Sequence, residues 1–286
     1  ENWQIFDQMR GMPVGGQPIH LYPNSNAAEG SVDNQFEITS TGFKLTSVSN
    51  RTNASGRTYI YMAIRRGPLA APESATDVFA IATRDGTEPS FDSSFPVDFA
   101  LTRTVNTADN WWAASRLNQG NYLQTNRTNA EASASSLQFD YMDGWNSNTG
   151  ANSNLYAWMW KRAPSYFDVV AYTGTGSSTT VTHNLGVAPE MTWVKRRDGS
   201  GDWTVVHKDY DSGKVQHLQA TSGQFTDSDA FTVSSSVLTL PNGNVNINGS
   251  SNTYIAYLFA TVAGISKVGS FSHTFGSATN VDCGFS

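Results

Sequence analysis

Residues 251–264 read SNTYIAYLFATVAG, and nearly the same phrase stands at 56–70 (GRTYIYMAIRRGPLA) and at 153–167 (SNLYAWMWKRAPSYF). Each copy sets a polar Gly/Ser/Asn lead against a dense run of aromatic and aliphatic strand formers, then breaks it with Pro or Gly. Large residues occupy successive positions, as in Leu155, Tyr156, Trp158, Met159 and Trp160. A strand apolar on both faces is either central, held between a core and an interface, or an ordinary core strand with exposed aromatics; the sequence leaves both open.

Other anchors recur in the same order around this phrase. A Trp strand precedes it, in ENWQIF (Trp3), DNWWAAS (Trp111) and GDWTVV (Trp203). A Pro-initiated strand precedes the Trp in FPVDFALTR (95–103) and VAPEMTWVKR (187–196), and an opening strand follows each closing phrase in DVFAIAT (77–83), DVVAYTG (168–174) and KVGSFSH (267–273). The period is about 95 residues. Strand-like alternation in FEITSTGFKLTSV (36–48), EMTWVKR and DWTVVHK, bounded by PNGN, DGSGD and TGTG turns, predicts antiparallel pairing. The expected fold is therefore all-β, a tandem of antiparallel, jelly-roll-like β-sandwiches. Residues 1–70 read as the C-terminal part of one unit, 71–165 and 166–264 as complete units, and 265–286 as the start of a further one. Such a register begins and ends inside units, which leads us to expect a longer array, or ends completed by neighbouring chains.

Composition narrows the function classes. Charged residues make up 15% of the 286, and the net charge is -6 with 18 scattered Lys and Arg. That is no footprint for a phosphate backbone or an anionic membrane surface, so nucleic-acid binding is not expected, and no apolar run approaches the ~18–20 residues that span a bilayer, so membrane insertion is not expected either. The single cysteine excludes an intrachain disulfide. Cys283 reads as a small buried apolar residue.

Chemistry is sparse. His20, His183, His207, His217 and His273 show no HExxH or HxxxH spacing, no GxSxG occurs, and the TGTGSS run at 173–178 precedes a strand and is not followed by Lys. Carboxylate pairs for glycoside hydrolysis are limited to Asp140 with Asp143 and Asp227 with Asp229, all in turn-rich contexts. KDYDSGK (208–214) offers Asp209 and Asp211 as weak metal candidates, but without further acidic ligands a hairpin-capping Asx turn is the better expectation. No enzyme, metal or cofactor is expected. Sugar binding is the more natural chemistry, since Trp and Tyr take the apolar faces of sugars while Asn and Asp supply hydrogen bonds. FDYMDGWNSNTGANSN (139–154) nominates Tyr141 and Trp145, and the doubled Trp of the second anchor nominates Trp111 and Trp112. The competing role for all four is to finish the sandwich core or a seam between units.

The string YFDVVAYTGTGSSTTVTHNLGVAPEMTWVKRRDGSGDW (166–203), continued by NTYIAYLFATVAGISKVGSFSHTFGSATNVDCGF (252–285), resembles a tandem β domain of marine bacteriophage structural and tail-fibre-like proteins. The first half resembles it only through the anchors above, and FDSSFPVD replaces HNLGVAPE there. The resemblance implies a virion-surface, extracellular protein: a tail fibre, spike or collar appendage that builds a rod and contacts the host. Its implied partners are copies of itself, with a trimer as the usual phage-fibre arrangement, other virion proteins, and host surface glycans. A carbohydrate-binding module of a secreted or surface protein, or a capsid decoration protein, would use the same features.

Overall fold

A computed structural model describes residues 3–7, 12, 17–31, 36–39, 42–46, 52–64, 69–118, 120–148 and 150–285. The chain is all-β, with only two single-turn 3₁₀ helices, Ala75–Asp77 and Arg116–Asn118, among the described residues. None of these is long and apolar enough to cross a membrane.

The N-terminal segment carries β1 (Ile19–His20) paired with β2 (Gly30–Ser31), and a hairpin of β3 (Phe36–Thr39) with β4 (Gly42–Leu45). Nine strands follow: β5 (Phe79–Arg84), β6 (Phe91–Asp92), β7 (Phe99–Thr104), β8 (Trp112–Ser115), β9 (Asn121–Gln124), β10 (Ala132–Ser133), β11 (Leu137–Gln138), β12 (Gly144–Ser147) and β13 (Asn152–Trp160). Nine more complete the set: β14 (Phe167–Thr173), β15 (Thr179–Thr182), β16 (Met191–Arg196), β17 (Trp203–His207), β18 (Lys214–His217), β19 (Phe225–Thr226), β20 (Thr232–Val233), β21 (Val237–Leu240) and β22 (Thr253–Phe259).

The two nine-strand sets share one topology. The first builds a six-stranded sheet ordered β10-β9-β8-β7-β13-β5 and a three-stranded sheet β11-β12-β6; the second builds β19-β18-β17-β16-β22-β14 and β15-β21-β20. Every pairing in these sheets is antiparallel, and the backbone links repeat too. Asp98 N–H bonds Trp160 O as Glu190 N–H bonds Phe259 O, each at 2.9 Å. These equivalences place Phe79 on Phe167, opposite Trp160 and Phe259. The Asp-Val pairs at 77 and 168, which look alike in sequence, are thus three residues out of structural register.

Side-chain alternation explains the doubly apolar closing strand. In β22, Tyr254, Ala256 and Leu258 face the core inside the second sandwich, while Ile255, Tyr257 and Phe259 face the other way. In β13, Ala157 and Met159 face the first core and Trp160 points outward. The outward faces of the two six-stranded sheets then pack on each other in a third core, where Phe99 meets Tyr257 (ring centroids 4.4 Å) and Phe167 (5.7 Å). The strand is central between a core and an interface. At about 1.5–3 kcal/mol per fully buried large apolar side chain, this seam rivals an ordinary domain core.

Polar contacts rim the seam. The Arg197 guanidinium pairs with Glu131 (2.8 Å), Trp203 Nε1 donates to Gln124 O (2.9 Å), and Lys195 Nζ donates to Thr128 O (3.2 Å) and Arg196 O (2.8 Å). Lys195 is fully buried, and that burial, with Arg196 beside it, lowers its pKa from 10.5 to about 8. Below pH 8 both folded and unfolded chains hold this proton and the folded state bears the whole desolvation cost. Between about 8 and 10.5 the unfolded chain binds more protons, so stability should rise with pH across that window. Urea unfolding across it should show the rise in the wild type and a flatter profile in Lys195→Met; equal slopes would refute the assignment.

Four expectations fail at the chain's two ends. Residues Tyr59–Ile64 form no strand, and Ile60, Tyr61, Met62 and Ile64 are 76–85% exposed; Arg65–Pro68 lie outside the described residues. The closing strands β13 and β22 are hydrogen-bonded on both sides, and among the described residues no strand pairs with 59–64, so the same composition forms no ladder there. Around Trp3, itself exposed, only an isolated bridge forms, between Ile5 and Leu21; Glu1 and Asn2 lie outside the described residues. KVGSFSH likewise forms no strand, and Cys283, expected to be buried, is exposed because residues 269–285 pack into no core.

Candidate functional site

The outer face of the first six-stranded sheet extends past the seam. On that part lie Trp111, Trp158 and Tyr156, with ring centroids 5.1 Å apart for Trp111–Trp158 and 6.2 Å for Tyr156–Trp158. The register explains the row: Trp158 sits opposite Leu101 and Ile81, and Tyr156 opposite Arg103. The Arg103 guanidinium lies 5.4 Å from the Trp111 ring centroid, a cation–π contact that fixes the indole. All three aromatics are half-buried, and Ile81 beside them is exposed.

Amides border the row. Asn126 Oδ1 accepts from the Trp111 N–H (3.2 Å), and Asn110 Oδ1 accepts from Asn126 Nδ2 (2.9 Å) and Arg127 Nε (3.0 Å). Fixed rings edged by amides and guanidinium groups suit a ligand with apolar faces and hydroxyl edges.

The four aromatics nominated from the sequence separate. Trp111 joins the row, whereas Trp112, one residue on, points to the inner side and stacks on Tyr122 at 3.9 Å. Trp145 is 1% exposed, stacked between Phe91 (5.4 Å) and Phe139 (5.0 Å), so neither ring face is open to a sugar. Its loop-like surroundings misled, because β12 pairs with both β6 and β11 and turns the indole into the sandwich. Tyr141 is half-buried, its hydroxyl 3.5 Å from Glu88 Oε2; burial, together with the charges of Glu88 and Asp140, pushes its pKa up. In the sequence, Trp158 and Tyr156 stand out only as members of the doubly apolar closing strand. The cue to their role was the closing strand's two apolar faces, one of which had to lie outside the sandwich.

Asp209 and Asp211, the weak metal candidates, are exposed and each paired with a lysine: Asp209 with Lys208 and Asp211 with Lys214, both at 2.8 Å. Asp140 and Asp143 are also exposed. Among the described residues, the group with metal-ligand geometry is His217, Asp227 and Asp229. The ten-residue step from His217 to Asp227 matches no metal motif, which is why the sequence did not connect them. His183, buried just after β15, accepts from the Leu185 N–H at Nδ1 (3.3 Å) and turns Nε2 to Ser234 O (3.1 Å), and burial lowers its pKa.

A family model described as Domain of unknown function (DUF7483) matches residues 1–68 and 93–286. Searches of curated proteins and of solved structures returned no match.

Proposed function

The chain belongs to the DUF7483 family, and we propose that this member is a non-enzymatic virion protein, a bacteriophage tail fibre, spike or similar appendage that builds length and attaches to the host surface. The observation that carries this reading is the seam. Two sandwiches of identical strand order bury the outward faces of their large sheets on each other, which suits a module meant to be stacked. Other copies of the chain and other virion proteins are its structural partners, with the exposed apolar stretch around Tyr61 and Met62 as a place for them to meet. Host glycans are its external ligands, taken on the aromatic row.

Electron microscopy of phage particles labelled with an antibody to this protein tests the assignment. Label on tail appendages is expected, and label confined to the capsid would favour a decoration protein. Unlabelled particles would overturn a virion role and favour a carbohydrate-binding module, the second reading that the Trp111–Trp158–Tyr156 row supports. Both attachment readings predict that Trp158→Ala weakens binding on a glycan array by about 1 kcal/mol, roughly fivefold, while leaving the melting temperature nearly unchanged. Unaltered binding would remove the row from the mechanism.

A further inference from the structure

One end of the second sandwich gathers three metal-ligating side chains that the attachment function does not use. His217 closes β18 opposite Thr204 of β17, and Asp227 and Asp229 lie in the turn between β19 and β20. Each offers a ligand atom, and the three atoms lie within 4.8 Å of one another. From that spacing, small side-chain rotations would close all three onto one ion at metal–ligand distances of roughly 2.0–2.2 Å.

Two independent observations point to a ligand there. Asp229 is fully buried, and its Oδ2 accepts from Asn246 Nδ2 (2.8 Å) and Thr204 Oγ1 (3.4 Å), yet its Oδ1 has no hydrogen-bond partner among the described residues. His217 has the same defect: Nδ1 stands 3.8 Å from Asp202 Oδ2, while Nε2 is buried and has no partner among the described residues. An unpaired buried polar atom is ordinarily destabilising, and here two occur side by side.

The surroundings hold the donors in place. Asp202 Oδ1 accepts from Gln219 Nε2 (2.6 Å), which steadies the carboxylate facing His217 Nδ1. The Phe225 ring meets the imidazole edge-on at 4.9 Å. The Asp202 carboxylate, 3.8 Å from Nδ1 and so not hydrogen-bonded to it in the metal-free chain, stands where a small shift would let it orient the imidazole once Nε2 took an ion.

We propose that His217, Asp227 and Asp229 bind one divalent transition-metal ion of the zinc class, with Asp202 as the residue that positions the imidazole. One imidazole nitrogen and two carboxylates suit zinc or manganese, whereas calcium and magnesium favour all-oxygen shells of six or more ligands. The ion would tie the β18–β19 hairpin to the turn before β20, one residue from Leu218 at the edge of the seam core.

Calorimetric titration of Zn²⁺ into Cys283→Ser protein tests the site, the substitution removing an exposed thiol that would compete. We expect one saturable site per chain, binding Zn²⁺ on the order of tenfold or more tighter than Ca²⁺ or Mg²⁺. His217→Gln and Asp227→Asn, both at half-buried positions, should each weaken Zn²⁺ binding by at least roughly tenfold and abolish the zinc-dependent rise in melting temperature. Asp209→Asn with Asp211→Asn should retain wild-type affinity. The proposal is overturned if Cys283→Ser shows no saturable zinc site. It is equally overturned if the His217 and Asp227 variants lower the melting temperature of the metal-free protein but keep wild-type zinc affinity, the outcome for a merely structural cluster.

Discussion

Trp203→Ala should lower the stability of the chain by about 3–5 kcal/mol and split its unfolding into two transitions. Trp203 is fully buried on the outer face of the second large sheet, in the seam core with Phe99, Phe167 and Tyr257, and its indole N–H donates across the seam to Gln124 O. Truncation would leave a cavity between two rigid sheets that cannot close without shifting both, and would remove one of two donors to the Gln124 carbonyl, leaving it the Arg127 N–H alone. The second effect reports on architecture. A seam of this size should make the two sandwiches unfold together, and its loss should let each melt by itself. Urea unfolding followed separately by tryptophan fluorescence and far-UV circular dichroism would show coincident curves in the wild type and divergent ones in the variant. A loss below about 1 kcal/mol with curves still coincident would mean that the seam does not hold the units together.

What the sequence disclosed of this architecture follows from which forces are local. Alternation in TYIAYLF and EMTWVKR is a local property, and the strands stand where the alternation puts them, in β22 and β16. The doubly apolar closing strand narrowed the seam to two possibilities, and only the packing of Tyr257 on Phe99 decides between them. TYIYMAI forms no strand because strand propensity describes what a segment does beside partners, and β13 and β22 have two neighbours each where 59–64 has none among the described residues. Site residues were harder still. Trp111 and Trp112 are adjacent in sequence but face opposite sides of a strand, so the doubled Trp could not be one platform. His217 and Asp229 meet because β18 folds back on β19 and the following turn descends into the core, a relation that no spacing encodes.

Asp98→Ala should be nearly as damaging as the loss of Trp203, about 3–5 kcal/mol, though it removes only a surface-type residue from the sequence's point of view. Asp98 and Arg116 are each 4% exposed, with Arg116 Nε 3.3 Å from Asp98 Oδ1. The guanidinium is also pinned by two carbonyls, Val97 O at 2.7 Å and Phe139 O, while Asp98 Oδ2 accepts the Arg162 backbone N–H at 2.8 Å. Arg162 in turn reaches Asp168 Oδ1 at 2.5 Å, so this cluster anchors the passage from one sandwich to the next. The second unit repeats the backbone link, Lys208 N–H to Glu190 O matching Arg116 N–H to Asp98 O, but there Lys208 is exposed. Only the first unit closes the pair from water. Removing the carboxylate strands a buried cation, whereas replacing both partners with apolar groups does not, so Asp98→Ala/Arg116→Met should recover much of the loss. Chemical denaturation of the two single variants and the double variant measures the coupling directly. Additive losses, with no recovery in the double variant, would show that Asp98 acts through its bond to Arg162 rather than as the counter-charge of Arg116.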